Sequence, residues 1–106
     1  MIPTIGRIVL YCLRDSDAGA INRRRQNART HVNELRGNST GVMVHASITV
    51  AGGDTYPMII TRVWPNTEPP LVNGTVMLDG SDTFWATSVG AGEPGVGGVW
   101  VWPPRQ

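Results

Sequence analysis

The chain has 106 residues, enough for one domain that buries roughly 65% of its unfolded surface and needs no covalent staple. A formal net charge of +1 speaks against a protein that coats DNA, since such proteins carry a basic excess over one face; any anion site here has to be local. One cysteine excludes an internal disulfide, and thirteen glycines and eight prolines among many β-branched residues point to short strands joined by tight turns.

The first predicted element is a strand over Gly6–Leu13, GRIVLYCL, almost continuously apolar as in a strand covered on both faces. Cys12 lies inside that run and reads as a buried, inert thiol. Asp15, Ser16 and Asp17 then supply capping oxygens and negative charge, and a helix follows over about 16–35. Ala18, Ile21, Ala28, Val32 and Leu35 form one narrow stripe on it, with Arg25 at the remaining position. The glycines and polar residues of Gly37–Gly41 end the helix.

A half-buried strand is predicted over Val42–Val50 from its alternation, with His45 on the polar side. After a turn at Ala51–Asp54 comes a third strand, Tyr56–Trp64, whose Pro57 suggests an edge or a bulge. Leu71–Leu78 and Thr83–Val89 read as strands joined across an Asp79-Gly80 hairpin signal, and Val99–Trp102 as a last short strand. Gly90, Gly92 and Gly95 match the dinucleotide fingerprint, but Glu93-Pro94 and further glycines cannot start the helix that chemistry needs, so the segment reads as a loop. The predicted fold is one domain over 1–106, mainly β with one inserted helix: a small bent antiparallel sheet, or a partly open barrel of the SH3-like or OB-like kind with the helix capping an open end.

No metal motif links His31, His45 and Cys12, and Asp54, Asp79 and Asp82 all flank turns, where they are expected to hydrogen-bond the backbone. The reading is therefore non-enzymatic, without cofactor or metal. All nine basic residues are arginine, and five of them fall between Asp15 and Arg36. Arginine presents a rigid fork suited to phosphate or carboxylate, although a run such as Arg23-Arg24-Arg25 also suits a solvated helix face. Four tryptophans exceed what one small core requires, and those outside it could meet a partner or a planar ligand. Met43, Met58 and Met77 read as core filler. Arginines beside a sheet presenting Tyr11, Tyr56 and Trp85 would combine phosphate pairing with base stacking. The N-terminal MIPTIGRIVL lacks the pattern of a cleaved leader and no apolar run approaches ~18 residues, so neither secretion nor a membrane span is expected.

The segments PTIGRIVLY, AINRRR, YPMIITRVW, VNGTVMLDGSDTFWATSV and WVWP together resemble a family of small tailed-phage and prophage accessory proteins. That resemblance implies a bacteriophage origin and action in the cytoplasm of the bacterial host or in the virion. Combined with the arginines and aromatics, it suggests a non-catalytic, oligomeric binding protein that sequesters a small phosphorylated nucleotide signal of host defence. Arg24 and Arg25 would pair with phosphate, Asn22 with a ribose or base edge, and Tyr56 or Trp85 would stack. The alternatives are a head or tail accessory protein, with tryptophans and a strand edge making contacts, and a protein that blocks a host defence complex. Arg25 decides between them, since in the apolar stripe it could instead pair internally with Asp15, Asp17 or Glu34.

Overall fold

Five strands and one helix make up the computed structural model, which describes residues 2–36 and 49–104, the side chains of 29–36 excepted. In chain order they are β1 (Ile8–Cys12), α1 (Asp15–Arg36), β2 (Thr55–Val63), β3 (Val72–Met77), β4 (Thr83–Ala91) and β5 (Val99–Val101). Each agrees with a predicted element to within about two residues at either end. The predicted strand over Val42–Val50, with His45, and the turn at Gly37–Gly41 lie outside the described residues, save Thr49 and Val50, which form no regular element.

The strands close into a barrel in the order β1-β2-β3-β4-β5, rather than remaining partly open. Neighbours are antiparallel from β1 through β4, and β5 pairs antiparallel with β1. Five strands cannot alternate direction all the way round, so one neighbouring pair has to run parallel. That pair is β4 and β5, joined at Gly90–Val99 and Ala91–Trp100. The order follows the chain as a meander and lacks the Greek-key crossing of an OB barrel. Pro57 sits in an interior strand: it faces Leu10 of β1, and the β2–β3 ladder begins one residue later, at Met58–Val76. The missing N–H is therefore not needed on the β3 side.

Alternation sends Val9 and Tyr11 of β1, Met58 and Ile60 of β2, Val72 and Val76 of β3, and Trp100 of β5 into the barrel. Trp102 packs against that core with its ring edge-on to Trp100, 5.2 Å between centroids and 87° between planes. Gly74 makes the interior fit, because a Cβ there would strike the Met58 side chain and come within 2.9 Å of the Ile59 carbonyl oxygen. Met58 is core filler as expected; Met77 is not, since it faces outward at 43% exposure.

The ladders slip on both sides of β3 at one place, between Ile60 and Arg62 on β2 and between Val72 and Gly74 where β3 meets β4. The buried side chain of Asn73 holds both irregularities. Its Oδ1 accepts from the Trp64 indole N–H at 3.1 Å and from the backbone N–H of Ser88 at 2.8 Å, and Ser88 has a φ of +53°. Bulges leave backbone groups without ladder partners, and an amide side chain can supply the acceptor. Asn73→Ala is expected to lower unfolding free energy by roughly 2 to 3 kcal/mol, because it strands two donors at once. Thr61→Val, which removes one 3.3 Å bond to the Asn73 carbonyl oxygen, should cost under about 1.5 kcal/mol. Urea denaturation of both variants checks the ranking; equal losses would show that Asn73 does not hold the bulges.

Candidate functional site

The helix begins with a charge cluster that fixes its direction. Asp17, at the third helical position, accepts the backbone N–H of Arg14 at 3.0 Å, half of a capping box. Its carboxylate also takes the Arg14 side chain, at 2.8 Å from Nη2, and the hydroxyl of Tyr11 at 2.5 Å. Burial opposes the charge on Asp17, yet the bonds from Arg14 and Tyr11 outweigh it and hold its pKa below the ordinary value. Tyr11, buried and donating to that carboxylate, has its pKa pushed well above the ordinary phenol value. It is thus committed to the core and is not presented to a ligand.

Two further anchors lie along the next turns. Asn22 donates from Nδ2 to the Val50 carbonyl oxygen and accepts the Val50 N–H at Oδ1, both at 2.8 Å, so it pairs with the backbone as a strand residue would. Arg25, only 4% exposed, grips Asp82 with two bonds, Nε to Oδ2 at 2.8 Å and Nη2 to Oδ1 at 2.6 Å. Arg24 adds a third contact to Asp82 Oδ2 at 3.0 Å from a half-exposed position. Tyr56 is close enough to feel the Arg25 charge, and its hydroxyl donates to Asp54 at 3.4 Å. Burial above all, and then Asp54, raise its pKa.

Asn22, Arg24, Arg25 and Tyr56 are therefore brought to one end of the barrel, as the sequence suggested, but Trp85 is not with them. It stands on the outer face of β4 at 67% exposure. Arg25 pairs with Asp82, whereas Asp17 pairs with Arg14; the side chain of Glu34 lies outside the described ones. Asp82 consequently does more than close a turn, unlike Asp54, which accepts the Ala51 N–H at 2.9 Å as expected. Of the predicted stripe, Ala18 and Ile21 are buried and Ala28 is exposed, while Val32 and Leu35 lie outside the described side chains; the described docking partners lie level with residues 17–25. Among the described residues no group of three histidine, cysteine, aspartate or glutamate side chains could hold a metal, and no helix is long and apolar enough to cross a membrane.

The outside of the barrel holds what the search for polar chemistry overlooked. Ile8, Ile59, Thr75 and Trp85 are successive partners in the β1, β2, β3 and β4 ladders, so they form one uncharged row across four strands. Ile8 is 55% exposed and Ile59 is at 36%. Beside it, Val101, Leu10 and Pro57 form a second row, and Met77 pairs with Thr83 on β3 and β4. Where β5, β1 and β2 meet, this wall sinks into a cavity of about 290 Å3. Leu10, Cys12, Val99 and Val101 line it, enclosed by Trp102 and by the loop at Glu93–Gly95. Among the described residues Glu93 is the one charged side chain in that lining. The sequence did carry a signal: the unbroken apolar run of β1 implied cover on both faces, and the outer face of Ile8 has none among the described residues.

Comparison with protein-family models, with curated proteins and with solved structures finds no match to the chain. The site is therefore read from its own geometry.

The ion pair makes a pH prediction. Asp82, hydrogen-bonded by Arg25 and Arg24 against the opposing effect of burial, has its pKa lowered from 3.8 to about 2. A carboxyl depressed in the folded state contributes stability that is complete above its unfolded pKa and is lost as pH falls through the folded one. Stability should accordingly drop between about pH 4 and pH 2. Asp82→Asn should reduce stability at pH 7 by roughly 2 to 3 kcal/mol and shrink the acid slope. Melting curves across that range test both, and an unchanged slope in the variant would refute the assignment.

Proposed function

We propose that this is a non-catalytic bacteriophage protein that works by protein–protein contact through the outer wall of its barrel, as a virion accessory component or as a blocker of a host complex. The observation that carries the reading is the registered row Ile8–Ile59–Thr75–Trp85. A soluble surface ordinarily mixes charges of both signs, and exposed tryptophan is enriched at the centre of protein interfaces. Closure of the barrel removes the strand edges, so contact has to go through side chains on this wall rather than through an added strand. The phage origin rests on the sequence resemblance.

Nucleotide sequestration is a second reading, favoured by Arg24, whose side chain is 48% exposed next to Arg23. It meets a difficulty in Asn22 and Arg25, whose polar groups already serve the fold. The two readings separate in one pair of measurements. Affinity capture from infected cells should recover a defined protein partner with the wild type, and Ile59→Lys should lose it while retaining the wild-type melting temperature. Melting in the presence of cyclic di- and trinucleotides and ADP-ribose derivatives should show no shift. A ligand at ~100 times its dissociation constant adds ~2.7 kcal/mol of apparent stability. A shift of several degrees with one such nucleotide, abolished by Arg24→Ala, would instead establish sequestration.

A further inference from the structure

The outer wall carries both a projection and a recess. Trp85 is the projection: at 67% exposure it is among the most exposed large apolar side chains of the described barrel strands, on β4 and flanked by Thr75 of β3. The recess is the cavity of about 290 Å3 on β5, β1 and β2. Their chemistry is complementary. An indole is apolar over its whole body and has one donor, Nε1–H. The recess is apolar over Leu10, Val99, Val101, Pro94 and Trp102 and, among the described residues, has one anionic acceptor, the Glu93 carboxylate. Neither carries a charge that would repel the other.

Their placement decides how they can meet. Around a closed ring of five strands, β4 is as far from β1 as any strand can be. β4 also borders β5, but it meets that strand only at Gly90 and Ala91, the nearer of them five positions beyond Trp85 or roughly 17 Å along the strand, so a molecule cannot fill its own recess with its own tryptophan. We infer that the occupant is a second copy of this chain: Trp85 of one copy seats in the β5–β1–β2 recess of the next. Such a contact is heterologous, because it joins two different surfaces, and so it leaves a free projection at one end and a free recess at the other. It propagates into a ring or a filament and does not stop at a two-fold dimer. It also gives the outer face of β1 the cover that its unbroken apolar sequence calls for. A single tryptophan, burying ~150 to 250 Å2, with its flanking rows makes a small interface, so association should be weak and concentration-dependent.

This inference rests on the reading of the wall as a protein-contact surface, and the experiment separates the two. Sedimentation velocity of the full chain, from about 10 μM to about 1 mM, should show species larger than a dimer at the upper end. Trp85→Ala removes the projection, and Thr55→Arg places a long cation from an exposed position at the rim of the recess. Each alone should weaken association at least about tenfold with melting unchanged. Mixed in equal amounts, the two variants retain one intact junction between them, so they should form a heterodimer and nothing larger. A wild type that remains monomeric throughout, or one that stops at a dimer, would overturn head-to-tail assembly. If in that case Ile59→Lys still loses its captured partner, the protein-contact reading stands without self-assembly; if it captures as the wild type does, that reading falls as well.

Discussion

The placement of the helix depends on one ion pair. Among the described side chains of α1 the buried apolar stripe consists of Ala18 and Ile21 before Arg25 interrupts it, a small surface with which to hold a helix in one orientation. Arg25 completes the stripe with a charge, and a charge removed from water has to be matched in position as well as in sign. The fork of Arg25 on both oxygens of Asp82 does this, and Arg24 adds a further contact to the same carboxylate. Hydrophobic contact would tolerate sliding of the helix by a fraction of a turn; a bidentate pair would not. The Asn22 clamp on Val50 fixes the same helix to the segment entering β2. Polar groups that a sequence reading assigns to a ligand are in this way the devices that join helix to barrel.

The barrel answers a different constraint. With five short strands, closure leaves no edge among the described strands, at the expense of one parallel junction between β4 and β5. Asn73 absorbs the irregularity this geometry creates, collecting the Trp64 indole and the Ser88 amide where both neighbouring ladders slip. Since the interior is filled by Val9, Met58, Ile60, Val76 and Trp100, there is no room for a ligand inside, and whatever the barrel recognises has to lie on its surface. That surface is polar where the helix docks and uncharged along the row Ile8–Ile59–Thr75–Trp85.

The arginine cluster shows what residue type alone leaves open. Forks, amides and aromatics at one end of a sheet would fit a phosphorylated ligand, and the structure does bring Asn22, Arg24, Arg25 and Tyr56 together. What residue type does not disclose is whether a carboxylate has already taken the place of the phosphate. Asp82 has done so for Arg25.

The sequence by itself determined the elements. Alternation marked the strands, acidic capping residues marked the start of the helix, and the Asp79-Gly80 signal marked the β3–β4 turn, because each depends on neighbours within a few positions along the chain. It also marked β1 by an unbroken apolar run, although the outer face of that strand meets solvent at Ile8. The partner of Arg25, the parallel closure of β4 on β5, and the alignment of Ile8, Ile59, Thr75 and Trp85 were decided only in three dimensions. Arg25 and Asp82 are 57 positions apart, and the row draws one residue from each of four strands, so no local periodicity encodes either. Long-range pairing is set by register and closure, which the chain acquires only when all five strands are in place.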